Sequence, residues 1–303
     1  MTTEEQRVLG VPLHELVALL DLEQLGADEF RGQHTTMSAQ INHVFGGLVA
    51  AQALVAAGRT VPADRLPHSL HAYFLRPGDH RLPLELHVTR TRDGGSLSHR
   101  RISVEQQGSV IAELSGSFAL PSDGPEHHPD PVAATTAQAL SADHELLAAI
   151  PGMHPAASAV DAFELRTVGL AERLARQDPP AEVGDPRTHR LWFRTPVDAA
   201  PLGDDPLLHA ALLLYATDLR ILQPVLRPHG IVQMATTDPV VLPATIDHTV
   251  WFHAPVRVDQ WLLLDAESPW AAHGRGLVRA EIFTSGGELA ASVAQEAMVR
   301  YRR

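Results

Sequence analysis

The chain has no cysteine and, across its 303 residues, no lysine: all 24 basic residues are arginine. Without a thiol there is no disulfide framework, no thiolate nucleophile and no cysteine-held metal. Without a lysine amine there is no Schiff base and no P-loop, whose lysine must reach the phosphates. We read the missing lysine as compositional bias, and the exclusions hold either way. Long apolar runs are also missing. Leu212–Ala216 is among the longest and falls far short of the roughly 20 residues that a membrane-spanning helix needs. The first residues, Met1–Arg7, lack the basic start and apolar core of a secretory signal. The expectation is a cytoplasmic protein without a membrane partner.

Catalytic signatures are absent in the same way. No Gly-x-Ser-x-Gly elbow and no His-Glu-x-x-His pair occurs among the 18 histidines, which disfavours an α/β-hydrolase and a zinc protease. Gly274-Arg-Gly276 lacks the third glycine and the setting of a dinucleotide loop. No metal and no cofactor is expected. The formal charge of −12 argues against nucleic acid as a partner, which would call for a basic field. A few arginines can still receive the phosphates of a small anionic ligand against that sign.

What is present is an ordinary folded composition, 45% hydrophobic and 20% charged, long enough for two domains. Residues 11–25 carry helical spacing after a proline, and 28–34 alternate weakly as a first strand. Gly46-Gly47 opens an alanine-rich helix that ends near Gly58; side chains this small suit a helix enclosed by other elements. From His68 to Leu120 four strand-like runs are separated by Pro-Gly-Asp, Asp-Gly-Gly and Gln-Gly-Ser turns. Residues 121–160 are rich in proline, alanine and histidine, with a helix expected at 136–149, and read as a linker. The second half repeats the plan: a strand at Arg190–Arg194, a helix over 204–227, then four strands ending near Arg300. An offset of 178 lays Tyr73-Phe74 on Trp251-Phe252, Pro77 on Pro255 and Arg101 on Arg279. One extra residue at the last turn aligns Val110–Ala112 with Leu289–Ala291. Matches in one order over such a span indicate a duplicated unit.

One segment, Pro243-Ala-Thr-Ile-Asp-His-Thr-Val-Trp-Phe-His-Ala-Pro255, joins polar groups to an apolar run. Its histidines, beside a Trp-Phe pair, read as wall or core groups rather than catalysts, and Trp251 and Phe252 read the same way.

Together, Phe45-Gly-Gly-Leu-Val-Ala-Ala-Gln-Ala-Leu54, His68-Ser-Leu-His-Ala-Tyr-Phe-Leu-Arg-Pro-Gly-Asp79, Arg92-Asp-Gly-Gly-Ser96, Tyr215-Ala-Thr-Asp-Leu219, Pro228-His-Gly230, Ala244-Thr-Ile-Asp-His248 and Val293-Ala-Gln-Glu296 resemble the TesB-type acyl-CoA thioesterase II family. The likeness runs from about Leu16 to Arg300; the combination is specific although each piece is weak. It implies an α+β double hotdog, two fused units each with an antiparallel sheet wrapped around a central helix. The units fall at 1–120 and 161–303, with the linker between them. It also implies hydrolysis of fatty acyl-CoA to fatty acid and CoA, with acyl-CoA as the partner molecule and self-assembly left open.

By the same resemblance the attacking water is held by Asp218 at a helix end, Thr245 on the next strand and Gln295 on the last strand. Taken singly, each has an ordinary reading as a helix cap, a β-former or a surface group; the set as a whole carries the assignment. Gly46 and Gly47, at a helix start with unpaired N–H groups, are expected to support the substrate carbonyl. Leu48 departs from the family's usual glutamine, and with the unusual linker it keeps a non-hydrolytic acyl-CoA-binding protein open as the alternative. A hydratase acting on enoyl-CoA is a third reading.

Overall fold

The computed structural model describes residues 11–34, 43–149, 162–175, 184–231 and 241–301. Among the described residues three helices have eight residues or more: α1 (Leu13–Leu20), α2 (Gly46–Gly58) and α3 (Pro206–Thr217). The strands are β1 (Glu23–Gln24), β2 (Glu29–Gly32), β3 (Leu66–Phe74), β4 (Leu84–Asp93), β5 (Leu97–Gln106) and β6 (Ser109–Ala119) in the first half. In the second half they are β7 (Glu164–Thr167), β8 (Thr188–Arg194), β9 (Val241–Phe252), β10 (Leu262–Ala272), β11 (Arg275–Thr284) and β12 (Leu289–Tyr301).

All twelve form one antiparallel sheet in the order β1-β2-β4-β5-β6-β3-β9-β12-β11-β10-β8-β7. Read outward from the middle, the two sides are the same list, with each strand of one half answered by its counterpart in the other. The halves meet where β3 pairs with β9, and the central pair of that ladder is His71–Thr249. Those two residues are related by the sequence offset, so the duplication and the sheet share one pseudo-twofold axis.

α2 is buried from Gly47 to Ala57 on every face. It packs on β2 to β6 and against α3, which is why its side chains are small. The two helices run antiparallel in very close contact. A Cβ at Gly58 would stand 2.6 Å from the Leu207 methyls, and one at Gly47 would stand 3.0 Å from the Tyr215 carbonyl oxygen. On α3, Leu212, Leu213 and Leu214 are fully buried, each contributing about 1.5–3 kcal/mol of apolar transfer. Asp205 caps the start of α3, accepting from the Leu207 N–H at 2.9 Å ahead of Pro206.

Several expectations are corrected. The helix read over 204–227 stops at Thr217, and a separate four-residue turn covers Gln223–Leu226. Pro224 bars one continuous helix, since it has no N–H to donate to the Arg220 carbonyl, and it sits instead in the first turn of the second segment. The helix expected at 136–149 is a 3-10 turn at Ala137–Ala139 and a short helix at Asp143–Ala148. The end of the expected linker lies outside the described residues. Trp251 and His253 were read as wall or core, yet both are exposed, because the strand alternation that buries Val250 and Phe252 turns them outward. Trp251 instead meets the ring of His71 edge-on, 5.4 Å between centroids.

Candidate active site

The close approach at Gly47 places the first turn of α2 beside the last turn of α3. Phe45 offers no side-chain cap to α2, so the first N–H groups of that helix need a partner from elsewhere. Asp218, the residue that ends α3, supplies it: its carboxylate accepts from the Gly47 backbone N–H. The positive end of the α2 dipole therefore faces a carboxylate. The pair of glycines has a steric cause. A Cβ at Gly46 would lie 3.1 Å from Asp218 Oδ2 and 3.2 Å from the Phe74 ring, and one at Gly47 would lie 2.6 Å from the Phe45 ring. The rings of Phe45 and Tyr215 pack edge to face at 5.0 Å beside this turn.

Thr245 and His248 reach the same spot by a different device. Three residues apart on a regular strand, they would point to opposite faces. β9 is irregular here: Asp247 pairs with Glu296 and Thr245 with Ala297, so Ile246 is an extra residue. The bulge turns Thr245 and His248 onto one face. Asp247 stabilises it by accepting from the Glu296 N–H at 3.1 Å. Gln295, directly opposite His248 in the β9–β12 ladder, points to that face as well.

Three elements thus bring together the three residues named from sequence. Gln295 Nε2 donates to Asp218 Oδ1 at 2.9 Å and to Thr245 Oγ1 at 3.0 Å. The Thr245 hydroxyl lies 3.4 Å from Asp218 Oδ1. Gln295 is fully buried, while Asp218 and Thr245 keep part of their surface accessible. Burial raises the Asp218 carboxyl, and against the hydrogen bonds from Gln295, Gly47 and Thr245, which lower it, the net value stands at about 6. A carboxylate of that strength can take a proton near neutral pH.

Two members of the constellation were missed from sequence. His248 Nδ1 lies 2.5 Å from Gln295 Oε1, and its Nε2 lies 3.0 Å from Thr217 Oγ1. Both side chains are buried. The reading of His248 as a core group was right about its burial and overlooked what it touches. Only the strand register reveals that contact. Gly46 and Gly47 lie beside Asp218, with the Gly47 N–H turned toward its carboxylate. His253 lies elsewhere, bonded to Ser292 at 2.8 Å. Among the strand arginines, Arg101 pairs with Glu113 and Arg275 with Glu296. Arg100 is buried, donating to Thr60 and Asp93.

The duplicated position has the same scaffold without the chemistry. β3 carries its own irregularity between Pro67 and Ser69, at the counterpart of Ile246. There Pro67 stands for Thr245, Leu70 for His248, Gly116 for Gln295 and Arg59, at the end of α2, for Asp218. Among the described residues the Asp-Thr-Gln set occurs at one of the two duplicated positions. Among the described residues no group of three or more histidine, aspartate or glutamate side chains is arranged to hold a metal, and no helix is long and apolar enough to cross a membrane.

Comparison with known proteins agrees with this architecture. The acyl-CoA thioesterase C-terminal domain matches residues 135–299 and the acyl-CoA thioesterase N-terminal domain matches residues 34–119. Acyl-CoA thioesterase 2 of Haemophilus influenzae is 33% identical, covering 95% of this chain and 98% of its own length. Acyl-coenzyme A thioesterase 8 of Rattus norvegicus is also 33% identical, over 94% of this chain and 88% of its own. The solved structure of the acyl-CoA thioesterase II TesB2 from Mycobacterium marinum superposes with a TM-score of 0.72 at 36% identity, covering 95% of this chain and 97% of that one. The chain belongs to the TesB-type acyl-CoA thioesterase II family of thioester hydrolases, built as a double hotdog.

Proposed function

We propose that this protein hydrolyses fatty acyl-CoA to free fatty acid and CoA with a water held by Asp218, Thr245 and Gln295. The observation that carries the reading is the convergence of these three side chains from a helix end and two strands, around a carboxylate raised to about 6. A thioester is activated enough for water to attack if that water is fixed in place and loses its proton, so no covalent nucleophile is required. Asp218 takes the proton as the water oxygen bonds to the carbonyl carbon. Thr245 fixes the water through its hydroxyl, and Gln295, whose two N–H groups go to Asp218 and Thr245, holds both of them in place. The N-terminus of α2, with the Gly46 N–H, supports the negative charge that develops on the carbonyl oxygen. As the tetrahedral intermediate collapses, the C–S bond breaks and the proton passes from Asp218 to the departing thiolate.

The test is to incubate the purified protein with acyl-CoAs of graded chain length and follow free thiol. Thiol release is expected. Its absence across short, medium and long chains would sink the reading. Tight binding without turnover would then favour a non-hydrolytic acyl-CoA-binding protein, and loss of enoyl absorbance without thiol a hydratase.

A pH dependence follows. The base must be ionised, so kcat/KM is expected to fall as pH drops through about 6, with the slope of one proton. Initial rates of thiol release across that value check it; a flat profile would remove Asp218 as the base. We further read the catalytic chain as cytoplasmic and capable of self-association, with hotdog units at 1–120 and 161–303 joined by 121–160. Size-exclusion chromatography and limited proteolysis would report on the assembly and the boundaries.

A further inference from the structure

Gln295 is useful to Asp218 in one orientation only. Its –NH₂ must face the carboxylate, because the amide oxygen there would set two acceptors against each other. The consequences can be traced inward atom by atom. With Nε2 turned to Asp218 and Thr245, Oε1 faces His248 Nδ1 at 2.5 Å. An amide oxygen only accepts, so Nδ1 must carry a proton. In a neutral ring Nε2 is then bare and must accept. What stands there is the Thr217 hydroxyl, 3.0 Å away.

That hydroxyl also lies 2.8 Å from the Leu214 carbonyl, and it has one proton to give. Were the proton turned to Leu214, His248 Nε2 would need a proton of its own and the ring would be charged. His248 and Thr217 are 1% and 0% exposed, and burial of a charged ring without a carboxylate partner is strongly unfavourable. Burial accordingly holds the imidazole down to about 4, despite the Gln295 contact that favours its charged form. With the ring neutral and the amide fixed, the Thr217 proton is shared between the Leu214 carbonyl at 2.8 Å and His248 Nε2 at 3.0 Å, His248 donates to Gln295, and Gln295 donates to Asp218 and Thr245.

We propose that His248, locked as its neutral Nδ1–H tautomer by Thr217, is the positioning residue that orients the Gln295 carboxamide toward Asp218 and Thr245. The proposal rests on the water-holding role given above to those three groups. It accounts for features which that role leaves unexplained. The bulge at Ile246 is what lets Thr245 and His248 share a face. In the duplicated position Gly116 has no amide to orient, and Leu70 fills the place of the histidine. The last turn of α3 carries both Thr217 and Asp218. One helix end therefore supplies the carboxylate at one end of the chain and its anchor at the other.

The experiment compares steady-state thiol release by His248→Leu, His248→Asn, Thr217→Val and Asp218→Asn, with ¹⁵N spectra of histidine-labelled wild type. Asparagine carries an N–H close to the place of Nδ1–H; leucine does not; Thr217→Val keeps the shape and removes the hydroxyl. We expect kcat to fall by about 100-fold in His248→Leu, the cost of a slightly misplaced catalytic group. Thr217→Val should show a smaller loss, and KM should stay near wild type in both. His248→Asn should recover much of kcat, which a merely space-filling role would not predict. The spectra should show Nδ1 protonated and Nε2 bare.

Wild-type kcat in His248→Leu and Thr217→Val, with Asp218→Asn inactive, would overturn the positioning role and leave the water-holding site standing. A ring proton found on Nε2 would do the same, and it decides the matter even if His248→Leu fails to fold. An active Asp218→Asn would instead bring down the underlying site, and this proposal with it.

Discussion

Asp218→Asn is expected to lose about 10²- to 10⁴-fold in kcat, the range for removing a positioned acid–base group, while its melting temperature above pH 6 rises. The two halves of this expectation come from one fact. The carboxyl is raised from 3.8 to about 6 because burial penalises its charged form more than Gln295, Gly47 and Thr245 favour it. A group whose folded value lies above its unfolded value contributes stability that is fully present below the unfolded value. That contribution is lost as pH rises through the folded one. Above pH 6 the wild-type fold therefore carries a charge it would be more stable without.

Asparagine keeps an oxygen that can accept from Gln295, and carries no charge. It cannot take a proton from water. The gain in melting temperature over wild type should shrink as pH is lowered from above 6 toward 4, since the wild-type carboxyl is then protonated too. Thermal melts by circular dichroism at the two pH extremes, beside thiol-release rates, check both halves. Near-normal turnover would take Asp218 out of the mechanism. A variant that melts lower than wild type above pH 6 would mean that the Gly47 contact outweighs the desolvation.

How far the sequence reveals this site depends on which physical rule places each residue. The strands were legible because alternation and glycine turns act over neighbours, and the boundaries of β5, β6, β11 and β12 fall close to the runs read for them. The duplication was legible for the same reason, and His71–Thr249 confirms its offset at the axis. Asp218, Thr245 and Gln295 were reached through the family resemblance; nothing local distinguishes them from a cap, a β-former and a surface amide.

The contacts of His248, read as a wall or core group, and the part played by Thr217 were not reached. Their roles come from register: His248 is opposite Gln295 only because β9 and β12 pair as they do, across an intervening 46 residues. A bulge at Ile246 leaves no mark in composition, and period-two alternation wrongly separates Thr245 from His248. The break after Thr217 did have a signal in Pro224, outweighed in the reading by the apolar run before it. The short edge strands Glu23–Gln24 and Glu164–Thr167 were missed because so few residues show no period.

Gln295→Glu gives the second large loss, by another route. The side chain is nearly isosteric and His248 Nδ1–H can still donate to one of its oxygens, so the fold is expected to survive. The other oxygen takes the place of Nε2, 2.9 Å from Asp218 Oδ1 and 3.0 Å from Thr245. Two carboxyl groups so close in a buried site cannot both ionise readily, and they hold one proton between them. At neutral pH Asp218 would share that proton instead of remaining a free base, and Asp218 and Thr245 would lose the N–H groups that hold them in place. Removing a preorganised donor costs about 10²- to 10³-fold in kcat, and the shared proton adds to that loss.

The pH profile separates this outcome from simple misfolding. The acid limb, at about 6 in the wild type, should move to higher pH in Gln295→Glu, because a second carboxylate raises the pair's upper titration step. A rate close to wild type with its limb unmoved would show that the carboxamide and Asp218 do not touch in the working enzyme. Gln295 would then belong to the wall of the site, and the chain running from Thr217 through His248 would have no catalytic end.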